Sequence, residues 1–206
     1  MNINRFLSCL IAASSLFGAH AQTHTLDVNT KKLGAAVQPT MYGVFFEDIN
    51  FAADGGLYGE LVKNRSFEFP QSLMGWQTFG NVSVRDDGPF NRCPHYVHLG
   101  YSGHNERRTG LQNEGFFGIG VEKGEPYRFS VWAKADNGDA KLRVALVDES
   151  TQAENQEFAT ADLIVKGGEW RKYELVLEPQ LTVGKAKLRL LLDGKDGVSL
   201  EHVSLF

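Results

Sequence analysis

Tyr127-Arg128-Phe129-Ser130-Val131-Trp132-Ala133 places Tyr127, Phe129, Val131 and Ala133 on one face and leaves Arg128, Ser130 and Trp132 on the other. Period two is the spacing of a strand with one buried face. The same alternation recurs at Leu142, Val144 and Leu146, at Tyr173, Leu175 and Leu177, and at Leu188, Leu190 and Leu192. Turn residues punctuate these runs at Lys123-Gly124-Glu125-Pro126, Asp136-Asn137-Gly138-Asp139, Lys166-Gly167-Gly168 and Asp193-Gly194-Lys195-Asp196-Gly197. The pattern predicts an antiparallel β-sandwich over residues 67–206. In the last strand the apolar parity shifts between Val198, Leu200 and Val203, Leu205. One extra residue exchanges the two faces of a strand, so a bulge is predicted near Glu201-His202.

Working towards the N-terminus, the texture changes. Tyr42-Gly43-Val44-Phe45-Phe46 is a short continuous apolar run, as in a strand buried on both faces. Asp54-Gly55-Gly56 then precedes Leu57, Leu61 and Val62 at helical spacing, with Asp54 placed to cap and Glu60 and Lys63 on the outer side. Residues 36–66 therefore read as one βα unit, which cannot stand alone because a doubly buried parallel strand needs neighbours on both edges. Within residues 22–35, Thr25 to Val28 reads as a short strand entering a polar turn, with no partner strand nearby. Residues 1–21 carry Arg5, an apolar run from Phe6 to Phe17, and Ala19-His20-Ala21, the composition of an export signal. Cys9 leaves with that signal, and the mature chain keeps Cys93 alone, so no internal disulfide is expected.

Composition narrows the function classes. With 21 Lys plus Arg against 25 Asp plus Glu, the 206-residue chain has a formal net charge of -4, which argues against a nucleic-acid surface. No apolar stretch has the length of a membrane span, and a 42% hydrophobic share is enough for a packed core.

Met41-Tyr42-Gly43-Val44-Phe45-Phe46-Glu47-Asp48-Ile49-Asn50, Asp54-Gly55-Gly56-Leu57-Tyr58-Gly59-Glu60-Leu61-Val62 and Asn64-Arg65-Ser66-Phe67-Glu68 closely resemble the opening of family 51 glycoside hydrolases, the α-L-arabinofuranosidases. That family joins a (β/α)8 barrel to a C-terminal β-sandwich with an N-terminal strand. The resemblance makes residues 22–35 that strand and residues 36–66 the first βα unit of the catalytic barrel. Residues 110–119, Tyr127 to Ala133 and Val198 to Phe206 look like the carbohydrate-binding-module-like sandwich, jelly-roll and galactose-binding-like, that many secreted members insert after that unit. The fold class is accordingly mainly β, an antiparallel sandwich preceded by an incomplete barrel.

The implied function is removal of terminal non-reducing arabinose from arabinan or arabinoxylan by an exported, retaining enzyme, periplasmic or extracellular and of bacterial type. Its partners are an arabinose-containing polysaccharide and the missing remainder of the same polypeptide, with no nucleic acid and no membrane span. No cofactor is implied. The family's two catalytic glutamates lie on later barrel strands and match nothing here, so no catalytic residue is assigned and the chain alone is expected to be inactive. A secreted carbohydrate-binding module without enzymatic activity is the competing reading.

Glu47 and Asp48 cannot act as a pair, since adjacent strand residues project to opposite faces. Glu47 alone would lie at a barrel-strand end, and the family's matching Glu hydrogen-bonds sugar hydroxyls, which makes it the substrate-binding candidate. Trp132, off the apolar face of its strand, is expected to point outward as a glycan-stacking candidate. Trp170 begins a strand and is expected to pack. His95, His98 and His104 lack metal-ligand spacing and are expected to be isolated surface histidines. Glu68 and Glu201 match positions where related sandwiches hold a structural calcium, but Glu201 replaces the more usual Asp and no metal is assigned.

Overall fold

A computed structural model describes residues 25–43, 47, 49, 51–101, 103, 108–148 and 156–206. The expected export signal, the strand residues Val44 to Phe46, Asp48 and His104 lie outside the described residues. The chain divides into two units, Met1–Phe45 and Phe46–Phe206.

In the first unit, the polar turn expected after Val28 is present: Asn29 accepts from Lys31 N through its side chain at 3.0 Å and from Lys32 N through its carbonyl at 3.2 Å. Pro39–Met41 forms a 3-10 turn. The strand expected at Thr25 to Val28 is not formed. A strand gains its stability from a ladder, and no partner ladder reaches this segment among the described residues.

The second unit is the sandwich. Its strands are β1 (Trp76–Phe79), β2 (Val82–Arg85), β3 (Tyr96–Leu99), β4 (Gly110–Asn113), β5 (Ile119–Val121), β6 (Tyr127–Ala135), β7 (Asp139–Asp148), β8 (Gln156–Lys166), β9 (Arg171–Leu177), β10 (Val183–Asp193) and β11 (Val198–Leu205). One sheet runs β1-β4-β10-β7-β8, with β5 also pairing β10, and the other runs β2-β3-β11-β6-β9. All these pairings are antiparallel. Phe129, Val131 and Ala133 of β6 bury against Leu142, Val144 and Leu146 of β7 and Leu188 and Leu190 of β10 in one core, as the alternation predicts. Tyr173 and Leu175 sit at its margin, partly buried. The bulge is where parity placed it: the β11–β6 register slips between Glu201 and Ser204, and His202 takes φ 46°. No helix among the described residues is long and apolar enough to cross a membrane.

The helix expected over Leu57 to Val62 is absent, and residues 51–67 form turns instead. Their hydrogen bonds run to the sandwich rather than along a helix. Leu61 N donates to Leu205 O at 3.0 Å and Val203 N to Arg65 O at 2.9 Å, so this segment lies along the end of β11. Glu60, expected on an outer helix face, is 1% exposed. It accepts from Val62 N and Leu205 N at 2.9 Å and from Ser204 Oγ at 2.7 Å. Asn64, at φ 54°, fixes the next corner, accepting from Phe69 N and donating to the carbonyls of Ser72 and Met74. A helix over Leu57 to Val62 would pull Glu60 away from β11. Leu57 is left exposed while Val62 and Phe67 enter the core.

Candidate functional site

The outer face of the β2-β3-β11-β6-β9 sheet carries the residues of opposite parity to the core. On β6 these are Arg128, Ser130, Trp132 and Lys134, so Trp132 points away from the core as the alternation predicts. It stands opposite Glu201 in the β6–β11 ladder. The Phe90 ring meets the Trp132 indole edge-on at 5.1 Å and the His202 ring at 4.9 Å. Glu201, opposite Trp132 and engaged by the His202 ring, is fully buried although it faces outward.

Beside this cluster lies a groove of about 620 Å³, within the range that holds small ligands, lined in part by Trp132, Ser130, Arg128, Arg65, Lys172 and His202. Arg128 and Ser130 were placed by the same parity as Trp132. Arg65 and Tyr58 come from the turn segment and carried no sequence signal for this site. Lys172 is paired with Glu174 at 2.5 Å, which lowers the Glu174 carboxyl below its ordinary range. At the far end of the sheet, Trp170 stacks edge-on against Tyr96 at 5.1 Å under the Lys134 ammonium, so Trp170 packs as expected.

Glu201 is electrostatically unusual. His202 Nδ1 engages its Oε2, while its Oε1 is a buried side-chain oxygen without a hydrogen-bond partner among the described residues. Burial pushes its carboxyl above the usual glutamate range, and the His202 ring works against that shift. Glu68 spends both oxygens on His95, accepting from its main-chain N at 2.8 Å and meeting Nδ1 at 2.7 Å. No group of three or more His, Cys, Asp or Glu side chains is gathered for a metal among the described residues.

The histidine expectation needs correction. His98 is a buried residue whose Nε2 lies 3.0 Å from Asp136 Oδ2, and His95 is held by Glu68, so neither is an isolated surface ring. Glu47 is exposed, and its side chain makes no hydrogen bond or ion pair among the described residues; the structure does not bring it together with Trp132.

The chain matches the Carbohydrate binding domain family over residues 59–196. It is 40% identical over 201 residues to an extracellular exo-α-L-arabinofuranosidase of Streptomyces chartreusis, covering 91% of this chain and 23% of that protein. It is 30% identical over 198 residues to α-L-arabinofuranosidase 1 of Arabidopsis thaliana, covering 87% of this chain and 29% of that one. Among solved structures, the arabinose-bound α-L-arabinofuranosidase MgGH51 superposes with TM-score 0.69 at 26% identity, over 80% of this chain and 29% of its own. The CBM22-1–GH10 modules of a Clostridium thermocellum xylanase, determined with xylohexaose, share the fold at TM-score 0.51 and 21% identity, over 71% of this chain and 28% of theirs. The resemblance to family 51 arabinofuranosidases is thereby borne out, although the chain spans only about a quarter of the length of these relatives. With more than half of its residues inside the family match and a groove-bearing antiparallel sandwich beneath them, the chain belongs to the carbohydrate-binding domain family.

Proposed function

We propose that the outer groove of the second sheet binds carbohydrate by stacking a sugar ring on Trp132, and that the whole protein is an exported, retaining α-L-arabinofuranosidase acting on arabinan and arabinoxylan. The observation that carries the binding reading is the half-buried Trp132 indole, braced by Phe90 at 5.1 Å beside a groove of about 620 Å³. A braced indole offers a fixed apolar face to the C–H side of a sugar, while polar side chains around it meet the hydroxyls. Identity at 40% to an arabinofuranosidase, extending through most of this chain, supports the enzymatic reading of the whole.

In that reading residues 1–21 direct export, residues 22–35 pair with a further sandwich, and Tyr42 to Phe46 form the barrel's first strand, ending at Glu47. An ionised Glu47 accepts from two sugar hydroxyls at a strand end where barrel active sites form. The nucleophile and the acid/base are carried by later strands. Affinity electrophoresis on arabinan and arabinoxylan tests the binding site: the chain should be retarded, and Trp132→Ala should lose the retardation while its circular dichroism stays that of the folded sandwich. Retardation unchanged in Trp132→Ala removes the groove from the reading. A protein extended through a complete barrel should hydrolyse an aryl arabinofuranoside that the 206-residue chain leaves intact.

A further inference from the structure

We infer that the Tyr58–Phe206 end of the groove is a carboxylate clamp, so that the glycan taken up here bears a uronic acid. The inference rests on the carbohydrate reading of the same groove and goes further by naming the ligand's charge. Arg128 lies on the outer face of β6 with Trp132, and Ser130 separates them. Its main chain is pinned, N donating to Phe206 O at 2.6 Å and O accepting from Phe206 N at 3.0 Å. The guanidinium is exposed, and no carboxylate pairs with it among the described residues. The Phe206 ring meets Tyr58 edge-on at 5.1 Å, and the Arg65 guanidinium lies 5.5 Å from the centre of the Tyr58 ring. Arg128, through its main-chain pairing with Phe206, and Arg65, over the Tyr58 ring, therefore both adjoin one aromatic pair on the groove wall.

Arg65 is also largely unspent. Its one carboxylate neighbour among the described residues is Glu60, with Nη1 and Oε2 3.7 Å apart, longer than a hydrogen bond. The Glu60 oxygens already serve Val62 N, Leu205 N and Ser204 Oγ. The Lys172 ammonium and the His202 ring, also on the groove, are occupied by Glu174 and Glu201.

A guanidinium offers only donors, whereas every hydroxyl of a neutral sugar both donates and accepts. Two guanidinium groups at one end, neither hydrogen-bonded to a carboxylate among the described residues, therefore match a group that only accepts, and their planar forks fit a carboxylate. The placement also runs against the chain as a whole, whose net charge is -4.

Calorimetric titration of the 206-residue chain tests this with galacturonate oligosaccharides, glucuronic-acid-bearing xylo-oligosaccharides, and the carboxyl-reduced counterpart of each. At least one acidic ligand should bind about tenfold or more tightly than its reduced counterpart, with the advantage shrinking as salt is raised. Which of the two keeps the advantage identifies the source of the uronate. Arg128→Gln should abolish the preference for the acidic ligand over its reduced counterpart, and Arg128→Lys, which keeps the charge but loses the fork, should retain only part of it. Equal affinity for acidic and reduced ligands, or a preference that survives both Arg128→Gln and Arg65→Gln, overturns the clamp and leaves the carbohydrate reading standing. Absence of binding to every one of these oligosaccharides and to arabinan overturns both.

Discussion

Replacing Glu60 by Ala separates two accounts of residues 51–67. On an outer helix face the substitution would fall among surface changes, within about 0.5 kcal/mol of neutral. In the observed fold Glu60 is 1% exposed, and its Oε1 accepts from Val62 N and Leu205 N while its Oε2 accepts from Ser204 Oγ. Val62 and Leu205 are themselves buried, so their donors cannot turn to water when the carboxylate is removed. Hydrogen bonds to a charged group contribute about 1.5–3 kcal/mol each, but truncation also relieves the cost of burying the charge, so a net loss of about 3–5 kcal/mol is expected. At about 2–4 °C per kcal/mol for a sandwich of this size, the melting temperature should fall by roughly 6 to 20 °C. Glu60→Gln keeps an oxygen for the two main-chain donors, and the Ser204 hydroxyl can rotate to accept from the new amide, so its loss should be clearly smaller. Thermal and urea unfolding of the wild type and both variants, with unchanged m-values, give the measurement. A fall below about 0.5 kcal/mol for Glu60→Ala would show that the staple to β11 does not exist in solution.

Three further outcomes are expected. Because burial raises the Glu201 carboxyl above its unfolded value, the ionised form costs stability above that raised pKa, and the cost is relieved as pH falls through it; Glu201→Gln should therefore melt higher than wild type at pH 7, with the difference narrowing on acidification, and a variant that melts lower at pH 7 contradicts the buried-charge account. Burial, assisted by Glu201 and Glu68, pushes the Cys93 thiol up against the opposing pull of Arg65, so alkylation should be slow at pH 7 and accelerate in alkaline solution, whereas reaction at the rate of a free thiol would disprove it. In the complete enzyme, Glu47→Gln should lower kcat/KM by roughly ten- to a hundredfold with folding intact; unchanged kcat/KM would withdraw the substrate contact.

The long strands were legible because a single buried face imposes alternation over enough residues to be seen. Tyr127–Ala135 and Val183–Asp193 run for 9 and 11 residues, and their apolar parity is unbroken through the part that faces the core. The short strands β1 to β5 were not individually readable: β1 to β4 have 4 residues each and β5 has 3, too few to separate alternation from chance. In β8 the pattern is interrupted where Phe158 and Ala159 are buried in succession, beside a register shift at Leu146/Val147 in its partner. The failure at Leu57 to Val62 has a different cause. The spacing fits a helix, but periodicity cannot see that a carboxylate at Glu60 and an amide at Asn64 will outcompete the helical hydrogen bonds by capturing the end of β11 and the turn at Ser72 and Met74.

The bulge ties the fold to the groove. Under strict alternation after Leu200, His202 and Ser204 would face the core, while Val203 and Leu205 would face outward. The extra residue at Glu201-His202 reverses this, so Val203 and Leu205 enter the core and Ser204 turns outward to meet Glu60. His202 stays on the outer face with Glu201, where its ring supports Phe90 and lines the groove next to Trp132. Beyond the bulge, Phe206 reaches the Arg128 main chain and sets its ring against Tyr58. One change of parity, visible in the sequence as two apolar pairs out of step, thus fixes both ends of the groove. The cost is a carboxylate turned outward on the strand yet fully buried, so Glu201 combines an oxygen without a hydrogen-bond partner among the described residues with a carboxyl that burial pushes above the usual glutamate range.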